Sequence, residues 1–253
     1  MSHFYKYNSG KPQFLSHLAT PAQAKKVKGA WPSVTTVLGV ISDPFLDKIY
    51  KPRKITELAR ENESMHWKDI LDLTYGVREH PETAEEMPSS EFGTAVHKRI
   101  EDYVLEDIED KSIEAVTPWD DYAMPFIDWY KENEVKPVAV EHMLGEPSIK
   151  IIGSVDFIGK DGDTGDAFLA DYKCRSNCKG RGKFYDKDLY QLAIEAWMLS
   201  KRARLEYIPG CISICIDCET KKHYHKVWDP DKIMHGIEVA KLCSKLYWKT
   251  RMK

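Results

Sequence analysis

Long apolar runs are absent from this sequence of 253 residues. No stretch approaches the ~20 consecutive apolar residues that a membrane-spanning helix needs. Residues 1–14 have neither the apolar segment of a signal peptide nor the Arg/Ser-rich composition of a transit peptide. Internal repeats and long low-complexity segments are also lacking, which excludes repeat architectures. We therefore expect a cytoplasmic protein that has no membrane partner.

Cysteine is absent before residue 174, and all six cysteines lie from Cys174 onward. Three of them, Cys211, Cys215 and Cys218, lie in the segment CISICIDC. This segment is consistent with an iron–sulfur or zinc site, or with a buried strand that uses small apolar side chains. The strand interpretation is favoured because no second CxxC pair occurs elsewhere in the sequence.

A strong excess of charge is also missing, since the formal net charge is only −3. Residues 79–121 nevertheless contain 14 acidic and 3 basic residues, a net of −11, so the remainder carries +8. The acidic stretch is typical of a solvated helical face. The basic remainder is compatible with a polyanionic partner but does not by itself predict one.

The order of predicted elements indicates the fold class. We expect residues 1–30 to be loop-like and residues 46–75 to be helical. Residues 76–90 are expected to form a polar connection. From residue 91 the order is helix, helix, three strands, helix, two strands, helix. This order predicts an α/β (α+β) fold with a central mixed sheet flanked by helices. The expected helices are 91–110, 118–133, 186–202 and 230–249, and the expected strands are 138–145, 149–158, 167–173, 211–217 and 223–228.

The segment GSVDFIGKDGDTGDAFLADYK predicts a hairpin that gathers charged side chains. Its turn is centred near residues 163–164, so a symmetric hairpin places Asp156 opposite Asp171. Lys173 shares a strand face with Asp171 because residues two apart project the same way. Two facing carboxylates are destabilising unless a cation lies between them, and Mg²⁺ prefers such oxygen ligands. The ordinary alternative is a surface ion pair between Asp171 and Lys173.

Three further polar residues could join this site. Glu141 lies on the preceding strand, His97 lies on the first helix one turn after Gly93, and Gln191 lies in the apolar helix. An imidazole and carboxylates together suit Mn²⁺ or Mg²⁺, and a buried amide needs hydrogen-bond partners. The ordinary alternatives are an exposed glutamate, a histidine at the edge of the core, and a glutamine bonded to backbone.

These segments resemble, in their order, the PD-(D/E)XK nuclease superfamily in its RecB-like exonuclease branch. The opening WPSVTTVLG (31–39) is similar to phage and mitochondrial genome-maintenance members. The glutamine motif departs from the pattern, because the usual tyrosine position holds Glu195. The matching segments are GTAVH (93–97), Glu141, GSVD (153–156), DYK (171–173) and YQLAIEAW (190–197).

The resemblance implies a restriction-endonuclease-like core over residues 89–253, with residues 1–88 as a loop and helical region that shapes DNA access. It implies one or two Mg²⁺ or Mn²⁺ ions, with Lys173 orienting and helping to deprotonate the attacking water. Gln191 would support Lys173 or the scissile phosphate, and Glu141 a second ion or a bound water. The implied metal ligands are His97, Asp156, Asp171 and the carbonyl of Tyr172. Iron–sulfur relatives need a cysteine before the histidine helix, so no cluster is expected.

The implied activity is metal-dependent hydrolysis of DNA, by an exonuclease more than an endonuclease, in replication, recombination or degradation. The DNA partner would have a free end or be single-stranded, and a phage-encoded protein would act in the host cytoplasm. The alternative is a non-catalytic or structure-specific nuclease-fold component of a recombination or replication assembly.

A basic loop follows the DYK motif, and its expected phosphate contacts are Arg175, Lys179, Arg181 and Lys183.

Overall fold

The computed structural model describes residues 3–8, 11–41, 51–61, 64–66, 70, 76–109 and 116–252. Its centre is a five-stranded sheet in the order β10-β9-β8-β7-β6. All neighbours are antiparallel except β8 and β9, which are parallel. The expected mixed sheet is therefore confirmed. Its strands are β6 (Lys136–Glu146), β7 (Ile151–Lys160), β8 (Ala167–Arg175), β9 (Gly210–Asp217) and β10 (His223–Val227).

Helices cover both faces of this sheet. A parallel pair requires a crossover connection, and α6 (Asp186–Ala203) provides it between β8 and β9. On one face, α6 and α7 (Pro230–Thr250) enclose what we call the back core, which includes Leu169 and Val155. On the other face, α4 (Ser89–Glu109) and α5 (Asp120–Glu132) enclose the front core, which includes Phe157 and Tyr172. The expected flanking helices are confirmed.

The N-terminal region contains a second, three-stranded sheet in the order β2-β1-β3. The prediction of a loop over residues 1–30 is therefore wrong. The strands are only three to five residues long and carry lysine and proline among their apolar residues, so they lack the alternation that marks a strand. They are β1 (Phe4–Asn8), β2 (Lys11–Phe14) and β3 (Ala30–Pro32).

Short helices connect this sheet to the centre. Ser33 caps α2 (Val34–Leu38) by accepting a hydrogen bond from the Thr36 amide. Ser33 also bridges Ile152 of β7, and the buried residues of α2 belong to the back core. The remaining elements before residue 89 are α1 (Pro21–Ala24), a 3₁₀ turn (Gly39–Ile41), α3 (Lys51–Glu61), β4 (Val77–Glu79) and β5 (Glu86–Pro88).

Two expectations for this region have different outcomes. The polar connection predicted over 76–90 is wrong, because β4 and β5 pair there as an antiparallel hairpin. The helix predicted over 46–75 is observed as α3, and the rest of that range lies largely outside the described residues. The division into 1–88 and 89–253 stays a prediction. Among the described residues, no helix has the length and apolar character to cross a membrane.

Gly145 on β6 gives a test of how the N-terminal sheet docks. A Cβ atom at this position would lie 2.3 Å from Cε2 of Tyr7, whose ring stacks on Trp31. We expect Gly145→Ala to lower the free energy of unfolding by about 1–3 kcal/mol, because the ring must shift. Urea unfolding measures the change.

Gly39→Ala is the matched control. Gly39 has φ −62°, and nothing lies within 4 Å of its added Cβ. Its stability should stay the same or rise by about 0.4–1 kcal/mol. Equal stabilities for the Gly145 and Gly39 variants would contradict the docking of Tyr7 against β6.

Candidate functional site

Three carboxylates lie in a row across three neighbouring strands. The pairing of β7 with β8 ends at Phe157 opposite Ala170, so the same register brings Asp156 opposite Asp171, as the hairpin arithmetic predicts. The pairs on β6 and β7 that flank Glu141 place it beside Asp156 in turn. Like charges across neighbouring strands repel one another, so this row needs compensation from nearby positive groups.

The backbone is irregular at this row. Glu141 has a left-handed φ of +47°, which is costly for a residue other than glycine. On β7, Val155 belongs to the back core and Phe157 to the front core, although alternate residues of a regular strand share a face. The Tyr172 amide donates to Oδ2 of Asp156 at 3.1 Å. The strands therefore separate here, with Asp156 and Asp171 buried and Glu141 half-buried.

His97 approaches this row from α4. Its Nε2 lies 2.8 Å from the carbonyl oxygen of Tyr172 and donates to it. In the neutral ring the lone pair is then on Nδ1, which lies 3.7 Å from Oε1 of Glu141 and 3.8 Å from Oδ2 of Asp156. A hydrogen bond that fixes the other nitrogen in this way is what orients a metal-binding imidazole.

A pocket of about 280 Å³ lies beside His97 and Lys173. Gly93 forms part of its wall, and no atom lies within 4 Å of a Cβ built there. The space one turn before His97 is therefore open. The remaining lining residues are Ser89, Ser90, Thr94 and Cys174.

The charges of the site shift the protonation of its members. Burial alone lowers the pKa of His97, but the carboxylates of Asp156 and Glu141 outweigh burial and raise it. For Glu141, burial acts to raise the pKa, while the neighbouring His97 imidazole brings it below its usual value. Without a metal ion, a protonated His97 neutralises part of the row.

Lys173 and Asp171 form a buried ion pair. The Lys173 ammonium donates to Oδ1 of Asp171 and lies 3.8 Å from Oδ2 of Asp156. Burial disfavours its charge, but the two aspartates overcome this and raise the pKa of Lys173. Burial also raises the pKa of Asp171 to about 6, against the opposing effect of Lys173. Lys173 is therefore a fixed positive charge at neutral pH.

The donor set fits a divalent cation. Oδ2 of Asp171 is buried without a hydrogen-bond partner among the described residues, and an unsatisfied charged acceptor is costly. The potential ligand atoms of His97, Glu141 and Asp156 all lie within 4.8 Å of one another. Imidazole nitrogen with carboxylate oxygens suits Mn²⁺ or Mg²⁺. The Tyr172 carbonyl, the remaining expected ligand, already accepts from His97.

The other expected site residues lie further out. Gln191 is hydrogen-bonded to Glu195. Arg175 is held by Asp188 at 2.8 and 2.9 Å, with its guanidinium over the Tyr185 ring. Of the remaining loop residues, Lys179 and Arg181 are exposed, and Lys183 is half-buried.

Sequence reasoning missed two supporting residues. Ser154 donates from Oγ to Oε2 of Glu141 at 3.1 Å. Glu195 is only 1% exposed, and burial, followed by the charges of Asp171 and Asp156, raises its pKa well above the usual range. A Cβ on Gly153 would lie 2.8 Å from Cγ and Oε1 of Glu195, which explains the glycine of GSVD. A single acid inside the apolar segment LAIEAW was the available signal.

The CISICIDC segment forms β9 and the turn after it. Cys211 and Cys215 are buried, as the strand interpretation expects. Cys215 lies beside Cys178, with 3.5 Å between the two sulfur atoms. All six cysteines are free thiols. In the described part of the chain, these cysteines do not belong to a group of three or more potential metal ligands.

Comparison with known proteins gives distant structural likenesses. No protein-family model and no curated protein matches the sequence. The alkaline exonuclease LHK-Exo from Laribacter hongkongensis is 14% identical over 61% of this chain and 80% of that chain, with a TM-score of 0.35. LHK-Exo in complex with dAMP is 10% identical over 81% and 94%, with a TM-score of 0.35. SSO0001 is 16% identical over 83% and 74%, with a TM-score of 0.33. TM-scores of this size do not assign an activity to this chain.

The pH dependence of metal binding tests His97 as a ligand. A metal ion needs the unprotonated Nδ1, and the pKa of His97 is raised, so protons compete with the metal. The affinity for Mn²⁺ should rise with pH by about tenfold per unit for each displaced proton, and level off above that pKa. Calorimetric titration between about pH 5.5 and 8.5 covers this histidine range.

His97→Ala should bind Mn²⁺ more weakly and show a shallower pH dependence, with the remaining slope due to Asp171. His235→Ala is the control, because His235 is exposed on α7. Superimposable titrations of the His97 variant and the parent at every pH would contradict the assignment.

Proposed function

We propose that this protein is a divalent-metal-dependent deoxyribonuclease that hydrolyses phosphodiester bonds, acting as an exonuclease of RecB-like type. The observation that carries the proposal is the meeting of His97, Glu141 and Asp156 with the Asp171–Lys173 pair where β6, β7 and β8 lie side by side. Mg²⁺ or Mn²⁺ bound there would supply a Lewis acid and lower the pKa of a bound water. The motif order in the sequence supports the same proposal.

The residues of the chain would take separate roles. Lys173 stays protonated because its pKa is raised, so it would place a positive charge on the phosphate and orient the water rather than take a proton from it. Asp171 would hold Lys173 in position and contribute its free oxygen to the cation. Glu141, which accepts a hydrogen bond from Ser154, would face the cation from the side away from Asp171. Gln191 would act indirectly, through Glu195.

A purely DNA-binding role is the alternative, and the carboxylate row argues against it. Facing carboxylates oppose the approach of a phosphate backbone, and a buried charge without a partner costs stability. A protein that only binds DNA has no need of either feature. A catalytic site uses both, because the carboxylates hold the cation that the phosphate then meets.

The basic loop after β8 would contact flanking phosphates. The Lys183 amide donates to Sγ of Cys215 at 3.4 Å, and Cys215 is the β9 neighbour of Lys173. The loop is therefore fastened beside Lys173, while Lys179 and Arg181 remain exposed. Arg175 would instead stabilise the base of the loop through Asp188.

The direct experiment uses end-labelled single- and double-stranded DNA, linear and circular, with Mg²⁺, Mn²⁺ or EDTA. We expect loss of the terminal label from linear DNA with either metal and no cleavage in EDTA. Cleavage of circular DNA would identify an endonuclease. Metal-dependent binding of DNA without any cleavage would instead support the non-catalytic alternative.

Asp156→Asn and Asp171→Asn should each lower cleavage by about 100-fold or more, because the cation supplies several kcal/mol of transition-state stabilisation. Asparagine keeps the side-chain volume, and circular dichroism verifies the fold. Asp163→Asn is the control, since Asp163 is exposed in the β7–β8 turn. Full activity in a folded Asp171 variant would overturn the assignment of the site.

Replacing Lys179 and Arg181 together with alanine should weaken DNA binding by a similar factor for every sequence, since phosphate contacts carry no base information. The slope of log affinity against log salt should fall by about 0.7–0.9 per lost contact. Binding is measured with Ca²⁺ in place of Mg²⁺. Lys136→Ala and Lys160→Ala, paired at the other end of the sheet, are the controls. An unchanged slope in the loop variant would mean that DNA is held elsewhere.

A further inference from the structure

The small N-terminal sheet carries aromatic side chains on one face. Tyr5 lies opposite Phe14 on β2 and opposite Trp31 on β3. The Tyr5 and Phe14 rings are 5.3 Å apart, and Tyr7 stacks on Trp31 at 4.5 Å with an interplanar angle of 16°. The opposite face is apolar and buried through Phe4. One face of the sheet is therefore buried in a small apolar core, and the other face carries the aromatic rings.

This aromatic face lies next to the carboxylate row. The Tyr7 ring rests on Gly145, four residues along β6 from Glu141, and leaves no room for a Cβ there. The Ser33–Ile152 bridge fastens the same region to β7. The strand β2, which carries Phe14, contacts β6 directly, and burial and then the charge of Glu141 raise the pKa of the Tyr5 phenol.

Part of the aromatic face is open to solvent. Phe14 is 51% exposed, Tyr5 is half-buried, and the exposed His3 ring meets the edge of Phe14 at 5.7 Å. The stacked rings of Tyr7 and Trp31 cover one another and form the part of the aromatic face that packs against β6. We call His3, Tyr5 and Phe14 the aromatic platform.

We propose that the aromatic platform stacks unpaired bases next to the phosphate that is cleaved, so that the substrate is a single strand or an unpaired end. The proposal rests on the proposed nuclease function and specifies its substrate class. Every base has a flat face that stacks on an aromatic ring, which allows binding without sequence preference. Bases inside a duplex are already stacked on one another and cannot use the platform without being unpaired.

Coupling between Phe14 and one base tests this directly. A single-stranded oligonucleotide is compared with copies that carry one abasic nucleotide at successive positions from the end, with Ca²⁺ present. In the parent protein, an abasic nucleotide at the platform position should weaken binding by about fivefold or more. In Phe14→Ala the same replacement should have little further effect, because its stacking partner is already gone.

Two further variants keep the test independent of folding. Phe14→Trp should retain the coupling, while Phe14→Leu, which keeps apolar volume without a ring, should lose it. Leu246→Ala is the matched control, because Leu246 is 49% exposed on α7 and should leave every affinity unchanged. Binding of a blunt duplex should be the same in all variants.

Failure of the platform and failure of the nuclease proposal have different signatures. Equal abasic effects in parent, Phe14→Ala and Phe14→Leu would overturn the platform, even if cleavage is normal. A parent protein that binds no single strand would overturn it as well. Coupling without cleavage in Mg²⁺ or Mn²⁺ would support the platform and overturn the nuclease function.

Discussion

The electrostatic repulsion among Glu141, Asp156 and Asp171 is the constraint on which the rest of the site depends. Carboxylates on adjacent strands destabilise a sheet unless positive groups compensate for them. Two such groups are built in, because His97 reaches the row from the front layer and Lys173 extends from β8 itself. Oδ2 of Asp171 remains without a partner in the described residues. The remaining negative charge is what a divalent cation would neutralise.

The backbone of the sheet is irregular at the carboxylate row. The left-handed φ of Glu141 and the separation of β7 from β8 at Asp156 both lie at this row. Behind the row, Gly153 allows Glu195 to pack without a clash. Burial raises the pKa of Glu195, which disfavours a further negative charge behind the row. The pairing of β6 with β7 continues on both sides of the row, whereas β7 and β8 pair on one side only, from Phe157–Ala170 to Lys160–Ala167.

The sequence predicted what depends on local periodicity and missed what depends on tertiary contact. The order of elements from residue 89 and the register of the β7–β8 hairpin followed from apolar patterning and from the position of one turn. The strands of the N-terminal sheet were missed because each is too short to show alternation. The pairing of Arg175 with Asp188 was missed because an ion pair across a loop has no periodic signature. The role of Glu195 was missed because its burial depends on tertiary contact and not on its residue type.

The proposed contacts with DNA lie at opposite ends of the carboxylate row. The row runs from Glu141 on β6 through Asp156 on β7 to Asp171 on β8. The aromatic platform belongs to the small sheet that docks on β6, and the basic loop follows β8, where Lys173 is located. A strand crossing the row would thus have bases stacked on one side and phosphates contacted on the other. Since neither contact reads base identity, this arrangement would select for an accessible single strand rather than for a sequence. That preference suits an enzyme that shortens DNA of any sequence from an end.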